Sequence, residues 1–517
     1  MKKTLTLLAG TTMVVLPHAI SAKKNVKADK PNVIIILADD IGYGDVCCYG
    51  ATKVKTPNID KLATQGRLFT DAHSSAAVST PSRYGLLTGE YPSRINLWGP
   101  TPPTATMQFS EDKTTIADVM KAAGYTTSVF GKWHLGFQTG DKIDYNKPLK
   151  PGPLEVGFDY YFGVPLVNSA PPFVYVENYS VVGYTPDDPF VLGQAANTEE
   201  FPEKNGLTTY GGAEAAHLLY KDREVGTTIK EKAVDWIKEN KENPFFMYYA
   251  TTNIHHPFTP AERFIGTSEA GAYGDFIHEL DWIVGDIMQT LEDEGIADNT
   301  MIIFTSDNGG MLNLGAQEAW SLGHHINGDL WGFKFEAWEG GHSVPLIVKW
   351  PGVVKPGTVT NTLTSNVDFF AMLSSMTGYE LQDGVAPDSY DLLPALTGKE
   401  NKTIRDHILI SPWKKKNLSI RKDEWVYIPS QAGGGFEGTE VGNARLGGYA
   451  TTKLTQREHS DVLNNKLNPE APKCQLYNLK KDPYQRTNVY NDYPEVVAEM
   501  EALLNEVSGA DKSTRVK

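Results

Sequence analysis

Five short, continuous apolar runs constrain the fold of this chain more than any other feature of its sequence. Uninterrupted runs of this kind are typical of parallel strands that are buried on both faces of a sheet. Between them lie segments in which apolar residues recur at helical spacing. This alternation predicts an α/β fold with a large, doubly wound sheet that is mixed or mostly parallel. The apolar runs are residues 32–38, 125–130, 244–250, 301–305 and 345–350, and the helical segments are residues 115–123, 228–240 and 276–294.

Polar clusters follow the first four of these runs directly. In an open α/β sheet, ligands bind at the carboxyl ends of the strands, so the clusters mark the expected site. In chain order they are Asp39-Asp40, Gly131-Lys132-Trp133-His134, residues 251–256 with His255 and His256, and residues 306–310 with Asp307 and Asn308.

The chain divides into three predicted parts. Residues 1–22 start with basic residues, continue as a short apolar stretch and end in small residues, which is typical of a secretory signal peptide. A bilayer span needs about 20 apolar residues, so we expect export to the periplasm without membrane insertion. Residues 23–400 are the predicted large α/β domain, in which residues 165–212 form an inserted surface loop. Residues 401–517 carry short strand-like runs and a final amphipathic helix, which predicts a small antiparallel α+β subdomain.

Charge and cysteine content exclude several classes of function. The 517 residues include 48 Lys and Arg against 63 Asp and Glu, which gives a net charge of −15. A surplus of this sign disfavours binding to nucleic acid or to an anionic membrane. The chain has three cysteines, which is too few for a disulfide-built fold and allows one bond at most, from Cys474 to Cys47 or Cys48.

The stretch from Ser79 to Gly89 is the most informative one for chemistry. Pro81 suits a first helical turn, so Ser79 is predicted just before a helix N-terminus, where the helix dipole favours a negative group. On spacing alone, a simple capping role for this serine is about equally well supported. Together with Arg83, however, the stretch resembles the signature of the type I sulfatases: Cys or Ser, then x-Pro-x-Arg, followed by Leu and Thr-Gly. In such enzymes the first residue is oxidised to formylglycine.

The resemblance extends over nearly the whole chain after residue 22, with further motifs in the family's order. One departure is Ser343, where many relatives carry Arg, so an arginine contact at that point is not expected. The matching motifs are Asp39-Asp40 with Asp307-Asn308, Gly131–Gly136, His255-x-Pro257, Gly332–Lys334 with Glu339–Gly341, and Gln475–Leu479 with Asp482-Pro483.

The resemblance implies a metal site. Asp39, Asp40, Asp307 and Asn308 match the family's calcium ligands, and the side chain at Ser79 would contact the same ion. Carboxylate and amide oxygens are hard ligands, which suit Ca²⁺ or Mg²⁺ better than Zn²⁺. We therefore expect Ca²⁺ here, with Mg²⁺ as the alternative.

An anion pocket and two proton-transfer groups complete the predicted site. Arg83, Lys132 and Lys334 would bind a tetrahedral oxyanion and offset its charge. His134 and His255 are candidates for proton transfer near neutral pH. Positive charge gathered at one point of an acidic protein fits recognition of a single terminal sulfate better than a groove that tracks a polyanion.

Four further histidines are expected to contact the substrate. His256 could exchange roles with His255, because the motif match rests on spacing alone. His324, His325 and His342 flank the late lysine motif, and we expect at least one of these three residues to touch the sugar; the alternative is that they are loop residues.

The need for an aldehyde at Ser79 follows from leaving-group chemistry. A sulfate ester on plain serine can be broken only by a second attack on sulfur, whereas a hydrated aldehyde attacks with one oxygen and expels sulfate with the help of the other. We expect His134 to assist that collapse, and His255, with Lys334, to protonate the departing sugar oxygen. Oxidation of a serine also implies a bacterial, oxygen-independent radical maturase as a partner, acting before export.

Three segments narrow the substrate class. They resemble the N-acetylgalactosamine-6-sulfatase branch of the family, which implies an exo-acting sulfatase on galactose or N-acetylgalactosamine of mucin O-glycans or glycosaminoglycans. The 6-O position is the first expectation, with 4-O and 3-O as alternatives. The segments are Phe264–Ser268, Tyr273–Asp275 and Glu279–Asp281.

Two functions of other kinds remain as alternatives. One is a phosphodiesterase or phosphonate hydrolase of the same superfamily, although such sites generally hold two metals with more His and Asp ligands than this spacing offers. The other is a non-catalytic glycan-binding protein in which Ser79 stays a serine.

Overall fold

The computed structural model of this protein describes residues 30–196, 204–398 and 403–509, so the predicted signal peptide at residues 1–22 lies outside the described residues. The strands are β1 Asn32–Ala38, β2 Arg67–Phe69, β3 Ala72–His73, β4 Thr126–Lys132, β5 Tyr160–Val164, β6 Val176–Glu177, β7 Ser180–Val181, β8 Phe190–Leu192, β9 Tyr210–Gly212, β10 Phe245–Ala250, β11 Thr300–Ser306, β12 Leu346–Lys349, β13 Thr358–Thr360, β14 Thr364–Ser365, β15 His407–Ile410, β16 Ser419–Lys422, β17 Trp425–Ile428, β18 Val462–Leu463, β19 Lys466–Leu467 and β20 Gln475–Asn478. The helices are α1 Pro57–Gln65, α2 Ser79–Thr88, α3 Ile116–Ala122, α4 Glu214–Leu219, α5 Val225–Asn240, α6 Gly271–Asp293, α7 Leu314–Ser321, α8 Glu339–His342, α9 Asp368–Thr377, α10 Leu393–Thr397, α11 Thr452–Thr455 and α12 Pro494–Gly509.

A ten-stranded sheet forms the centre of the molecule, in the order β13-β2-β12-β11-β1-β10-β4-β5-β6-β7. Its five middle strands, β11 to β5, are parallel to one another. The run at residues 345–350 joins this sheet as β12, but it pairs antiparallel with β11. The predicted α/β architecture, mixed and mostly parallel at its centre, is confirmed.

The central strand β1 shows why its sequence is apolar throughout. Val33, Ile35 and Leu37 belong to the core on one face of the sheet, whereas Ile34 and Ile36 belong to the core on the other face. Successive side chains of a strand point to opposite faces, so a strand covered on both sides needs apolar residues at every position. All seven residues of β1 are buried.

The C-terminal part of the chain forms the predicted antiparallel subdomain. Strands β15, β16, β17 and β20 make a four-stranded sheet, and all of its neighbouring pairs are antiparallel. Helix α12 covers this sheet, and its buried residues Met500 and Leu504 share a core with Leu409 and Ile420. The exact boundary at residue 400 stays a prediction.

The inserted segment at residues 165–212 is more regular than expected. Strands β6 and β7 form a hairpin that extends the edge of the main sheet beside β5, and β8 pairs with β9. Cys47, Cys48 and Cys474 are all free, so the single bond that the sequence allowed does not form. Among the residues that the structure describes, no helix is long and apolar enough to cross a membrane.

Candidate active site

The ends of four neighbouring strands place the predicted polar residues at one edge of the sheet. Strand β1 leads into Asp39 and Asp40, and the parallel strand β11 leads into Asp307 and Asn308. Because Ala38 lies opposite Ser306 in the register of these strands, the two acidic turns are direct neighbours. On the other side, β4 ends at Lys132 and β10 leads into the turn that carries His255.

The acidic group at this edge has the chemistry of a site for a hard cation. Oxygen atoms of Asp39, Asp40 and Asp307 lie within 4.8 Å of one another, and all three side chains are buried. The Oδ2 atom of Asp40 is buried and has no hydrogen-bond partner. A buried carboxylate oxygen without a partner is costly, so this atom and its neighbours fit a divalent ion held by oxygen ligands.

Ser79 is the first residue of α2 and lies beside the acidic group. Its Oγ atom is 3.2 Å from Oδ1 of Asn308 and 3.5 Å from Oδ1 of Asp39. The serine is buried, and its backbone belongs to the first turn of the helix, where the dipole stabilises negative charge. The sequence predicted Ser79 just before the helix, and the structure places it at the first helical position, one residue later.

Two lysines point at the same serine. The Nζ atom of Lys132 lies 3.3 Å from Ser79 Oγ, and that of Lys334 lies 3.4 Å from it. Lys132 also donates to both carboxylate oxygens of Asp39 at 2.8 Å, and Lys334 donates to Asp40 at 2.5 Å. Burial lowers the pKa of Lys132 to about 8, although Asp39 opposes the shift. For Lys334, burial also acts to lower the pKa, but Asp40 and Asp39 outweigh it and the pKa is raised.

Arg83 pairs with the acidic group and contacts the end of β4. It lies one turn after Ser79 on α2, is fully buried, and donates from Nε and Nη2 to Oδ2 of Asp307 at 3.1 and 2.8 Å. Its Nη1 atom donates to the carbonyl oxygen of Lys132 at 3.2 Å. Arg83 therefore fixes the position of Asp307 and of the end of β4, and it compensates the charge of the acidic group.

His134 is held in a strained backbone conformation beside the serine helix. Its φ of 57° is left-handed, and Thr80 and Thr101 donate to its carbonyl oxygen at 3.1 and 2.8 Å. The Nδ1 atom is buried without a partner. Burial, and then the charges of Lys132 and Arg83, hold the pKa of His134 well below its ordinary value, so the ring is neutral. Strain at such a residue persists only where its surroundings enforce it.

His255 also borders the acidic group. Its Nε2 atom is 3.9 Å from Oδ2 of Asp40, and its Nδ1 atom lies 2.7 Å from the carbonyl oxygen of His256 and 3.1 Å from Oδ1 of Asn168. A carbonyl acceptor requires a proton on Nδ1, which leaves the Nε2 lone pair free. Burial, and then Lys334, hold the pKa of His255 well below its ordinary value.

Asn168 is a member of the site that the sequence did not reveal. Its Nδ2 atom donates to the carbonyl oxygens of His255 and Pro257, at 2.8 and 3.2 Å. The residue comes from the inserted segment that was expected to be a surface loop, and no motif or periodicity pointed to it.

The four histidines expected at the substrate have different locations. The His256 ring stacks on that of His255, with centroids 4.5 Å apart, so it adjoins the site. His324 is buried, and its Nε2 atom lies 2.7 Å from Oδ1 of Asp45, a pair outside the acidic group. His325 is exposed and stacks on Trp320.

His342 likewise lies apart from the acidic group. It is buried on α8, and its Nδ1 atom lies 3.0 Å from that of His73. The structure thus gives His324, His325 and His342 partners outside the acidic group, although they are close to Lys334 in sequence. These partners are Asp45, the buried ring of Trp320 and His73.

A buried serine that faces carboxylates and lysines, at the carboxyl edge of a mostly parallel sheet, defines a hydrolase of anionic esters. The family model described as Sulfatase matches residues 31–379 of this chain. The chain therefore belongs to the sulfatase family and is a sulfuric ester hydrolase, as its motifs predicted. Members of this family depend on formylglycine and bind a metal.

Individual relatives agree with this assignment. An N-acetylgalactosamine-6-O-sulfatase of Bacteroides thetaiotaomicron is 40% identical over 507 residues, which covers 93% of each chain. The human N-acetylgalactosamine-6-sulfatase is 32% identical and covers 71% of this chain and 66% of its own. A solved structure from work on the metabolism of multiple glycosaminoglycans by Bacteroides thetaiotaomicron has a TM-score of 0.82 and 36% identity, and the match covers 93% of this chain and 100% of that one.

Proposed function

We propose that this chain is an exo-acting carbohydrate sulfatase that removes a 6-O-sulfate from N-acetylgalactosamine or galactose, at a formylglycine formed from Ser79. The observation that carries the proposal is the convergence of Lys132, Lys334 and Asn308 on Ser79 Oγ, all within 3.4 Å. The sugar and the position of the sulfate are supported by the 40% identity to a bacterial N-acetylgalactosamine-6-O-sulfatase.

Charge balance explains how the site attracts an anionic ester. Three carboxylates, Asp39, Asp40 and Asp307, meet the three cations Lys132, Lys334 and Arg83 in direct ion pairs. With neutral histidines the group carries no net charge, so a bound divalent ion makes it net positive. A sulfate ester that reaches this buried point meets uncompensated positive charge in a low dielectric, where attraction is strong.

Asp39, Asp40, Asp307, Asn308 and the side chain at residue 79 would hold the ion, for which we propose Ca²⁺ rather than Mg²⁺. The irregular set of carboxylate and amide oxygens suits the flexible coordination of Ca²⁺. The ion supplies positive charge next to the nucleophile. The oxidised side chain would supply a hydrated aldehyde, which offers one oxygen to attack sulfur and a second to expel sulfate.

The chain's own residues would bind the sulfate group and transfer the protons in this reaction. Lys132 and Lys334 bind sulfate oxygens, and Arg83 keeps Asp307 in place. The buried, neutral His134 lies beside the serine helix and would accept the proton that is released when the sulfated side chain collapses. His255 would take up a proton at its free Nε2 atom when the anionic ester binds and deliver it to the departing sugar oxygen, with Lys334 adjacent. His256 stacks behind His255.

Maturation and location follow from the serine and from residues 1–22. We propose that an oxygen-independent radical maturase oxidises Ser79 before export, because the residue is a serine rather than a cysteine. The mature protein would then act on sulfated glycans in the periplasm.

One experiment tests maturation and substrate together. The chain is expressed anaerobically with a radical maturase, and the Ser79 peptide is examined by mass spectrometry for the loss of two hydrogen atoms. The same protein is incubated with galactose and N-acetylgalactosamine sulfated at the 6, 4 or 3 position. We expect an oxidised residue 79 and sulfate release from the 6-sulfated sugars. Release only from the 4- or 3-sulfated sugars would refute the 6-O assignment.

Two variants make the test specific. Ser79→Ala should abolish turnover while unfolding at the same temperature as the parent, and substantial residual hydrolysis would exclude the mechanism. Ser82→Ala is the matched control, since Ser82 lies on the same helix and its Oγ atom accepts from Asn366 rather than facing the acidic group. An intact Ser79 in the presence of the active maturase, with no release from any sugar, would favour the glycan-binding alternative.

A further inference from the structure

Three aromatic rings contact one another next to the candidate active site. The Phe335 and Trp413 centroids are 5.4 Å apart, those of Phe335 and Phe436 are 4.7 Å apart, and those of Trp413 and Phe436 are 5.2 Å apart. Phe335 comes from the loop before α8, whereas the other two come from the C-terminal subdomain. We refer to these three residues as the aromatic wall.

The aromatic wall is anchored directly to the reacting residues. Phe335 follows Lys334, whose Nζ atom lies 5.4 Å from the Phe335 ring. The backbone of Phe335 is left-handed, with φ of 78°, and its N–H donates to the carbonyl oxygen of Ala77, two residues before Ser79, at 2.7 Å. Trp413 in turn donates from its backbone N–H to the carbonyl oxygen of Phe335 at 3.0 Å. The contacts therefore hold Trp413 at a fixed place relative to the serine.

Trp413 is more exposed to solvent than Phe335. Phe335 is 8% exposed, but Trp413 is 37% exposed. A side chain added at Gly99 would lie 3.4 Å from the indole Nε1 of Trp413. Two residues further on, Thr101 donates to the carbonyl oxygen of His134 at 2.8 Å. The indole therefore lies between the segment of Phe335, which follows Lys334, and the segment of Gly99, which leads to Thr101, and Trp413 is partly exposed to solvent.

We propose that the exposed ring of Trp413, backed by Phe335 and Phe436, is the specificity-determining surface on which the pyranose of the sulfated sugar packs. Aromatic rings at the mouth of a polar site commonly supply such apolar contact, while a few charged groups fix the orientation. In a galacto-configured sugar the axial 4-hydroxyl leaves C–H groups at C3, C4 and C5 together on one face. Since C6 is attached to C5, a 6-O-sulfate can reach the lysines while this apolar face lies on the indole.

The inference rests on the proposed function and deepens it, because it assigns recognition of the sugar to a residue separate from the charged centre. Lys132 and Lys334 recognise the sulfate whatever sugar carries it. The aromatic wall would distinguish galacto- from gluco-configured sugars, since an equatorial 4-hydroxyl removes the continuous apolar patch.

The test compares the matured parent with Trp413→Ala, Trp413→Phe and a control, Tyr484→Ala. Tyr484 is a loop residue of the C-terminal subdomain that is 43% exposed, close to the exposure of Trp413. Steady-state kinetics are measured with 6-sulfated N-acetylgalactosamine and 6-sulfated N-acetylglucosamine. Inhibition by inorganic sulfate reports on the charged centre alone.

We expect Trp413→Ala to raise KM for 6-sulfated N-acetylgalactosamine by about tenfold, the range of a lost aromatic contact. The ratio of kcat/KM for the galacto sugar to that for the gluco sugar should decrease in the same variant. The inhibition constant of inorganic sulfate should stay within about twofold of the parent's value. Trp413→Phe should recover most of the loss, and Tyr484→Ala should match the parent.

Two outcomes would overturn the inference. Equal kinetic constants for the parent and Trp413→Ala on the galacto sugar would show that the ring does not bind it. A change in sulfate inhibition as large as the change in KM would show that Trp413 only supports the charged centre. Failure of the proposed function is distinguishable, because then the parent itself would release no sulfate from either sugar.

Discussion

The ammonium nitrogen of Lys132 lies 2.8 Å from both carboxylate oxygens of Asp39. Both side chains are buried, so each charge depends on the other and on the groups that share the site. The same nitrogen is 3.3 Å from Ser79 Oγ, which places one lysine between an acidic residue and the reacting residue. Lys132 can therefore turn from Asp39 toward a sulfate oxygen without a large movement.

Replacing Lys132 by alanine should lower kcat/KM by about 100-fold or more, because a buried donor next to the developing charge is lost. The matched control is Lys121→Ala, since Lys121 pairs with Asp159 at the surface with half of its side chain exposed. The control should retain parental activity. Mass spectrometry of residue 79 in each variant separates a catalytic loss from failed oxidation, and parental kcat/KM in an oxidised Lys132→Ala protein would contradict the assignment.

Replacing Asn168 by alanine should reduce kcat with little change in KM. Asn168 contacts both the ring and the carbonyl oxygen of His255, so its loss frees the ring to rotate while the lysines that bind sulfate are untouched. We expect a decrease of about tenfold in kcat, as for a misplaced proton-transfer group. Kinetics over a range of substrate concentrations separate the effect on kcat from the effect on KM. A rise in KM with constant kcat would instead assign Asn168 to substrate binding.

Removal of divalent ions should abolish activity, and Ca²⁺ should restore it at lower concentration than Mg²⁺. The unpartnered Oδ2 atom of Asp40 is the structural reason, because a bound ion would satisfy it. Ligand binding to the folded state also raises its stability, so Ca²⁺ should raise the melting temperature of the chelator-treated protein. Asp40→Asn should lose that increase. Full activity after exhaustive chelation, without any thermal response to Ca²⁺, would exclude the metal site.

Much of the site was predictable because strand ends in a parallel sheet meet at one edge. The place of Asp39 and Asp307 in the site could be predicted from two apolar runs and from the rule that ligands bind at the carboxyl ends of strands. The register of β1 and β11 then made the two turns neighbours. Lys132 follows from the same logic, since it is the last residue of β4.

Other features depend on contacts between segments that no local pattern reveals. Asn168 reaches His255 from an aperiodic insertion, 87 residues away in sequence. His324 lies close to the late lysine motif in the chain, but its pairing with Asp45 is a long-range contact. The antiparallel direction of β12 was also hidden, because a short apolar run reads the same in both directions.

The buried carboxyl of Glu279 on α6 should make stability depend on pH. Burial raises the pKa of Glu279 from 4.5 to about 7, and its Oε1 atom has no hydrogen-bond partner. Because the folded pKa lies above the unfolded one, the folded state holds the proton more tightly. The contribution of Glu279 to stability is therefore fully present below about pH 4.5, falls as the pH rises toward 7 and levels off above that, by roughly 3 kcal/mol in total.

Glu279→Gln removes this titration while preserving the shape of the side chain. Urea unfolding of both proteins at pH 5, 6, 7 and 8 should show the variant gaining stability relative to the parent as the pH rises. Glu318→Gln is the control, since Glu318 is exposed on α7, and its stability should track the parent at every pH. A constant difference between Glu279→Gln and the parent from pH 5 to 8 would show that Glu279 keeps an ordinary pKa in the folded protein.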